Sequence, residues 1–320
     1  MLLSSRYRAG EPARQQLSPE QIRVRDRIHA RMRSGEYTMV EVACLCGCEE
    51  GDVLSEIDRY GLPVRTILCT HCGIVRSSPR LDEPSTLRFY EEDYRELYTV
   101  DGEDPELLFN NQLAKGRQLV GRFAKLVDKV DRVVEVGCGA GGQLAAFAEL
   151  GKKVAGVDLG SEWLNVGRRK GIDLICGDAM DLREHLDWPA DMVVATHVIE
   201  HFLELDTEIA KMAALLAPDG VMLLEVPGIR MVASGYRGDF LLYLQNAHNY
   251  HFTAATFGYA LSRCGLDVFF SDELVSAIAV PTIEGPLCRE IPVPIGEAQA
   301  VRAYLDEQER ICMEKTPRVA

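Results

Sequence analysis

Two groups of residues in this 320-residue chain have the types and spacing to do chemistry. The first is Val133-Val-Glu-Val-Gly-Cys-Gly-Ala-Gly-Gly142, where an apolar run passes through a carboxylate, Glu135, into a glycine-rich turn. Glycines there let the backbone take positive φ and approach a ligand closely, and a helix starting near Gly141 turns its N-terminal amides toward it. The spacing G-x-G-x-G-G departs from the dinucleotide fingerprint G-x-G-x-x-G, so it prepares a nucleotide-sized site without naming the nucleotide. The second group is Cys44-Leu-Cys46-Gly-Cys48 with Cys69-Thr-His-Cys72-Gly, two close cysteine sets each followed by glycine. That pattern predicts a structural zinc site ligated by Cys44, Cys46, Cys69 and Cys72, an ion able to staple a segment too short to bury its own core. The C-x-C pair is tighter than the usual C-x-x-C, so Cys48 or His71 could replace one ligand. The remaining cysteines, Cys138, Cys176, Cys264, Cys288 and Cys312, are scattered and no secretory segment precedes the chain, which points to zinc rather than disulfides and to the cytoplasm.

The glycine turn needs elements to hold it, and the following sequence supplies them in alternation. Lys153-Val-Ala-Gly-Val-Asp158 reads as a second buried strand ending on an acid about 20 residues after the turn, where a ribose-binding carboxylate belongs. Ile172 to Asp178, Asp191 to His197 and Gly220 to Pro227 read as three further strands, with helices expected over 141–150, 161–170 and 203–217. The β/α alternation predicts a largely parallel sheet whose ligands bind beyond the carboxyl ends of the strands. A helix from Thr253 to Cys264 and two strand-like runs near 266–272 and 275–283 complete the pattern.

With Glu135-Val-Gly-Cys-Gly-Ala-Gly, Val157-Asp158-Leu, Gly177-Asp178-Ala, His197-Val-Ile-Glu-His201 and Leu216-Ala-Pro-Asp-Gly220 in this order, the chain resembles the Rossmann-like class I methyltransferases that use S-adenosylmethionine. The resemblance covers roughly 110–285 and implies a seven-stranded sheet closed by an antiparallel hairpin. It further implies that Glu135 faces the amino acid moiety of the cofactor and that Gly137 and Gly139 allow close backbone approach. Asp158 would accept from both ribose hydroxyls, Leu159 would pack on the adenine, Asp178 beside Ala179 would accept from its exocyclic amine, and His197 would line the ligand side of the fourth strand.

Upstream, the cysteine groups run into Pro79-Arg80, Leu87-Arg-Phe-Tyr90 and Asp93-Tyr94, and in this the chain is similar to bacterial methyltransferases of sugar and surface-polysaccharide biosynthesis. Some of these methylate carbon or oxygen on nucleotide-activated sugars. In the sugar C-methyltransferases a Glu-His pair after the fifth strand moves the protons; here His248 matches the histidine and Ala247 stands where the glutamate would be. Transfer to a hydroxyl asks for less, because the sulfonium carbon is already electrophilic and only one proton must be taken. His248 is therefore the first candidate base, His251 the second, and Tyr250 an orienting hydroxyl, while His201 is read as structural or substrate-orienting.

These readings divide the chain into a basic N-terminal arm and helix (1–36), a zinc-binding module (37–80), a helical linker (81–115), an S-adenosylmethionine-binding domain (116–285) and a C-terminal helix and tail (286–320). The first 17 residues read as a mobile arm. Ser18-Pro19-Glu20-Gln21 starts a basic helix expected to pack on the chain's own acidic body, and the helix over Gly296–Glu314 is open to a homodimer contact or to simple cover. The net charge of −14 argues against nucleic acid as a partner, and no apolar run is long enough to span a membrane. The expected substrate is a small polar molecule, a sugar or sugar nucleotide, methylated at oxygen. C-methylation of a keto-deoxysugar, methylation of a secondary-metabolite scaffold, and cofactor binding by a non-catalytic assembly partner are the alternatives.

Overall fold

The computed structural model describes residues 1–98, 104–282 and 291–315; Cys288 lies outside them. Helix α1 spans Pro19–Ser34 and begins on the expected capping box: the Ser18 hydroxyl accepts from the Gln21 amide and the Gln21 side chain accepts from the Ser18 amide. It ends at Gly35, in the left-handed conformation. Strands β1 (Met39–Val40), β2 (Asp52–Ser55), β3 (Thr66–Leu68), β4 (Val75–Ser77) and β5 (Arg80–Leu81) follow, and then helices α2 (Glu83–Glu92) and α3 (Tyr94–Tyr98). The basic helix packs on its own chain as expected: Arg27 and Arg31 converge on the fully buried Asp93 between α2 and α3, each at 2.7 Å.

Helices α4 (Pro105–Arg122) and α5 (Ala124–Val127) lead into the alternating region of β6 (Arg132–Val136), α6 (Gly142–Ala148), β7 (Lys153–Asp158), α7 (Ser161–Arg169), β8 (Asp173–Cys176), α8 (Ala179–His185) and β9 (Ala190–Thr196). After α9 (Leu205–Ala213) comes β10 (Leu216–Glu225), then the short helices α10 (Val232–Gly235) and α11 (Phe240–Tyr243), β11 (Tyr250–His251) and α12 (Ala254–Arg263). The hairpin β12 (Leu266–Ser271) and β13 (Ser276–Pro281) and helix α13 (Glu297–Lys315) close the chain. The seven-stranded sheet has the order β12-β13-β10-β9-β6-β7-β8, with β13 antiparallel to both neighbours and the remaining pairings parallel. This is the Rossmann-like class I methyltransferase fold. Its central strand β6 carries Val133, Val134 and Val136 buried, because helices cover both faces.

Two features differ from expectation. The fifth strand of the pattern begins earlier, at Leu216, which bridges Ala190 before the register shifts at Val221; this irregularity absorbs Pro218 and Gly220. The N-terminal arm is not loose: Tyr7 is fully buried among Leu54, Phe240, Val301 and Leu305, and its hydroxyl donates to Glu309. Arg6 donates to the same carboxylate at 2.8 Å and pairs with Asp239 at 2.9 Å. One aromatic ring and one bidentate guanidinium fix an arm whose composition alone reads as mobile. Helix α13 accordingly turns Val301 and Leu305 into this chain's own core.

A second sheet has the order β11-β4-β3-β2, all antiparallel. Its edge strand comes from the segment after β10, with Tyr250 opposite Arg76 and His251 opposite Val75. The cysteine-bearing region and the histidine-bearing segment therefore share one hydrogen-bonded sheet.

Burial favours the neutral form of Glu309, but the bonds from Arg6 and Ser4 outweigh it and hold its carboxyl below the usual range. The pair's stabilisation is thus complete above the unfolded carboxylate value of about 4.3 and is lost as pH falls through the lower folded value. Glu309→Ala, which leaves Arg6 paired with Asp239 alone, is expected to cost about 2 kcal/mol in urea unfolding at neutral pH, with a smaller difference from wild type in acid.

Candidate active site

The glycine turn leaves β6 at its carboxyl end with Gly137, Gly139 and Gly141 all at positive φ. A Cβ on Gly137 would lie 2.1 Å from Val198 Cγ2, and one on Gly142 would lie 2.1 Å from the Phe109 carbonyl oxygen of α4, so the turn is closed around glycine. Asp158, at the end of β7, bonds the Gly139 amide with one oxygen and the Gly160 amide with the other, at 2.9 and 2.7 Å. Each oxygen keeps a second lone pair for an incoming hydroxyl. Leu159 beside it is an exposed apolar side chain, 64% accessible.

Glu135 lies under the turn, buried, taking one bond from the Gln143 amide nitrogen at 2.9 Å. Its other oxygen has no hydrogen-bond partner among the described residues. Burial, with the nearby Asp158 charge adding to it, pushes this carboxyl up to about 8. A buried acid with one unused acceptor at the mouth of the first strand suits a cationic amino group, so the residues present fit the cofactor that the sequence implies.

Asp178 occupies the N-cap of α8, accepting from the Met180 and Asp181 amides and pairing with Lys211 at 3.0 Å, with Ala179 buried behind it. His197 follows β9 at φ 56°, a rare conformation for a residue with a side chain, and is half-exposed between Glu200 and Glu225. Gln112, which nothing in the sequence pattern singled out, reaches from α4 to accept from the Ala140 and Gly142 amides and to donate to the Cys138 carbonyl. Its partners are local in space but about 30 residues away in the chain, outside the range of any spacing rule.

Beyond the cofactor side, the turn Ile199–His201 places Glu200 in the interior, 1% exposed. Neither carboxylate oxygen has a hydrogen-bond partner among the described residues. Three imidazoles surround one of them: His248 Nε2 at 3.7 Å, His201 Nε2 at 3.8 Å and His197 Nδ1 at 3.8 Å. The His201 and His248 rings meet edge to face at 4.7 Å, and Tyr90 OH lies 2.8 Å from His201 Nδ1. Burial pushes His201 down to about 4 and His248 well below the ordinary histidine value, so both are neutral at pH 7; it pushes Glu200 up to about 8. His248 is held from both sides, since Ser77 of β4 donates to its carbonyl at 2.9 Å and the next amide, Asn249, donates to the Glu200 carbonyl at 2.8 Å.

The other two candidates lie further out. The His251 ring is 5.9 Å from that of His248 and packs on Tyr243. Tyr250, next along the strand, points to the opposite side, where its hydroxyl accepts from Arg80 at 3.0 Å beside the cysteine region. The tyrosines of α2 and α3 form a ladder, Tyr90 on Tyr94 at 4.7 Å and Tyr94 on Tyr98 at 4.6 Å, that walls the histidine cluster. Arg59 lies over the Tyr60 and Tyr98 rings and bonds Gln245.

Cys44, Cys46, Cys69 and Cys72 come together as the spacing predicts, with Cys44 and Cys72 sulfurs 3.5 Å apart and Cys46 and Cys69 sulfurs 3.6 Å apart. Four thiolates about 2.3 Å from a tetrahedral ion lie about 3.8 Å from one another, so this set could hold zinc with little movement. All four are free thiols. Cys48 instead faces the Glu50 carbonyl and His71 is exposed, outside the cluster.

Residues 109–269, half of the chain, match the model of a methyltransferase domain, and the chain belongs to that family. It is 34% identical over 99 residues to the ubiquinone biosynthesis O-methyltransferase of Bradyrhizobium sp. (strain ORS 278), covering 28% of this chain and 38% of that protein. To the C-methyltransferase NovU of Streptomyces niveus it is 25% identical over 200 residues, covering 55% of this chain and 42% of NovU. The chain thus spans about two-fifths of the length of these curated relatives. Among solved structures it is similar to DesVI of Streptomyces venezuelae, at 20% identity and a TM-score of 0.43 over 58% of this chain and 100% of that one. An O-methyltransferase family protein from Burkholderia thailandensis is similar at 17% identity and a TM-score of 0.44, over 63% of this chain and 62% of that chain.

Because its folded carboxyl titrates near 8 and its unfolded one near about 4.3, Glu135 withdraws stability as pH rises between those values. Glu135→Gln is expected to raise the melting temperature of the ligand-free protein at pH 8 while weakening S-adenosylhomocysteine binding, both measurable in one thermal-shift series.

Proposed function

We propose that this chain catalyses S-adenosylmethionine-dependent methyl transfer to a small polar acceptor, a hydroxyl of a sugar or nucleotide sugar, with a histidine taking the proton. The observation that carries this reading is the buried pair of neutral imidazoles, His201 and His248, packed against Glu200 at the end of β9, beside the glycine turn. When bound, the cofactor supplies a methyl group on an electrophilic sulfonium carbon. Glu135 turns its unpaired oxygen to the cofactor's amino group, Gly137 and Gly139 let the backbone approach, and Asp158 accepts from the ribose hydroxyls. Leu159 covers the adenine, Asp178 and Ala179 border its edge, and His197 lines the same wall.

His248 would take the hydroxyl proton as the acceptor oxygen becomes a nucleophile, and the imidazolium so formed would favour the ionised form of Glu200, 3.7 Å away. Burial keeps His248 neutral in the ligand-free site. His251 is the second candidate for this role. The tyrosine ladder and Arg59, whose Nε has no hydrogen-bond partner among the described residues, suit a hydroxylated or anionic acceptor. The four-cysteine cluster is read as a structural zinc site that anchors the sheet carrying β11.

A second reading has one specific support. Glu200 brings a carboxylate to 3.7 Å from His248, in space where Ala247 leaves a gap in the sequence, and a Glu-His pair is what C-methylation of a keto-sugar asks for.

His248→Ala is expected to lower turnover on the accepted acceptor by two to four orders of magnitude, about the worth of a general base, with S-adenosylhomocysteine stabilisation unchanged. Unaltered turnover would remove His248 from the reaction. Metal analysis is expected to find tightly held zinc, and Cys69→Ser to lose it together with stability; protein free of zinc would contradict the zinc assignment.

A further inference from the structure

The cluster around Glu200 has a feature that proton transfer alone does not explain. A buried carboxylate normally accepts hydrogen bonds, and here both oxygens lack them among the described residues while three imidazole nitrogens stand 3.7 to 3.8 Å from one oxygen. These separations are too long for hydrogen bonds and close to the edge of a coordination shell: ligands about 2.1 Å from a tetrahedral ion lie about 3.4 Å apart. The ligand atoms of Glu200, His201 and His248 all fall within 4.8 Å of one another. We propose that Glu200, His201 and His248 form a second metal site, separate from the four cysteines, for a divalent first-row cation such as Mn2+ or Zn2+.

The surroundings support coordination. Tyr90 OH at 2.8 Å from His201 Nδ1 fixes that ring, and with the proton on Nδ1 the Nε2 lone pair is free on the side of Glu200. Two imidazoles and a carboxylate are a donor set that such cations accept while leaving positions open. His197 Nδ1 lies 3.8 Å from Glu200 on its half-exposed side, outside the set of three. Gln245, whose amide rests against His248, is tethered through its oxygen to Arg59 and must turn aside for the cation to enter.

The site stands on its own geometry, and its chemical consequence rests on the methyl-transfer reading. A cation there would bind the acceptor's oxygen and lower the pKa of that hydroxyl, and with His248 as a ligand the proton would pass to His251, the second candidate base. It favours acceptors offering two neighbouring oxygens, as vicinal sugar hydroxyls do.

The test is a titration of the 320-residue chain with Mn2+, a hard cation that thiolates hold poorly, followed by electron paramagnetic resonance of the free ion. One Mn2+ is expected to bind per chain, and Glu200→Gln and His201→Ala are each expected to weaken it by more than about tenfold, with S-adenosylhomocysteine binding retained as proof of folding. His185→Ala, at a histidine paired with Asp173 away from the cluster, is expected to bind as wild type. No bound Mn2+ in the wild type, or undiminished binding in Glu200→Gln, overturns the proposal. Either result leaves cofactor binding and His248-dependent turnover standing, since the readout is occupancy of the cation and not activity.

Discussion

The pairing of β11 with β4 is the contact on which the candidate active site depends. It joins two segments about 170 residues apart in the chain, and through Ser77 and Asn249 it fixes the backbone of His248 between the cysteine-bearing sheet and the turn that carries Glu200. A two-residue strand has little stability of its own, so its position is set by what lies on either side. On one side are the four clustered cysteines, and on the other is the parallel sheet with its buried valines. The cysteine region is thereby more than an appendage, because the sheet that carries it also holds the backbone of His248 beside Glu200.

A second organising constraint is the burial of carboxyls in a chain that already carries a net charge of −14. Asp93, Asp239 and Glu309 are matched by arginines, and these pairs fix the N-terminal arm, the first helix and the C-terminal helix to the body. Glu135 and Glu200 have no such partner among the described residues, and burial raises both to about 8. Unmatched acids at the ends of β6 and β9 withdraw stability as pH rises toward 8.

The parts of this arrangement that were legible in the sequence are those encoded locally. The glycine turn, the acid at 158 and the strand and helix alternation each depend on residues within about 20 positions, and the cysteine spacing shows which sulfurs converge. The pairing of Arg6 with Glu309 depends on residues 303 positions apart, and the bridge from Gln112 to the turn depends on helix packing at Gly142, which no periodicity reports. Glu200 was visible in the Glu-His pair after β9, but its burial and its encirclement by three histidines were not. Tyr250 and His251 show the same limit, since alternation along β11 sends one toward the cysteines and the other toward the histidine cluster only once the strand's partner is known.

Calorimetric titration of the 320-residue chain with S-adenosylhomocysteine and, separately, with NAD tests most directly whether the turn at the end of β6 and the acids at the ends of β7 and β8 build a methyl-donor site. The expected result is one molecule of S-adenosylhomocysteine bound per chain, binding abolished by Asp158→Ala, and no heat with NAD. Binding of NAD without binding of S-adenosylhomocysteine would contradict it.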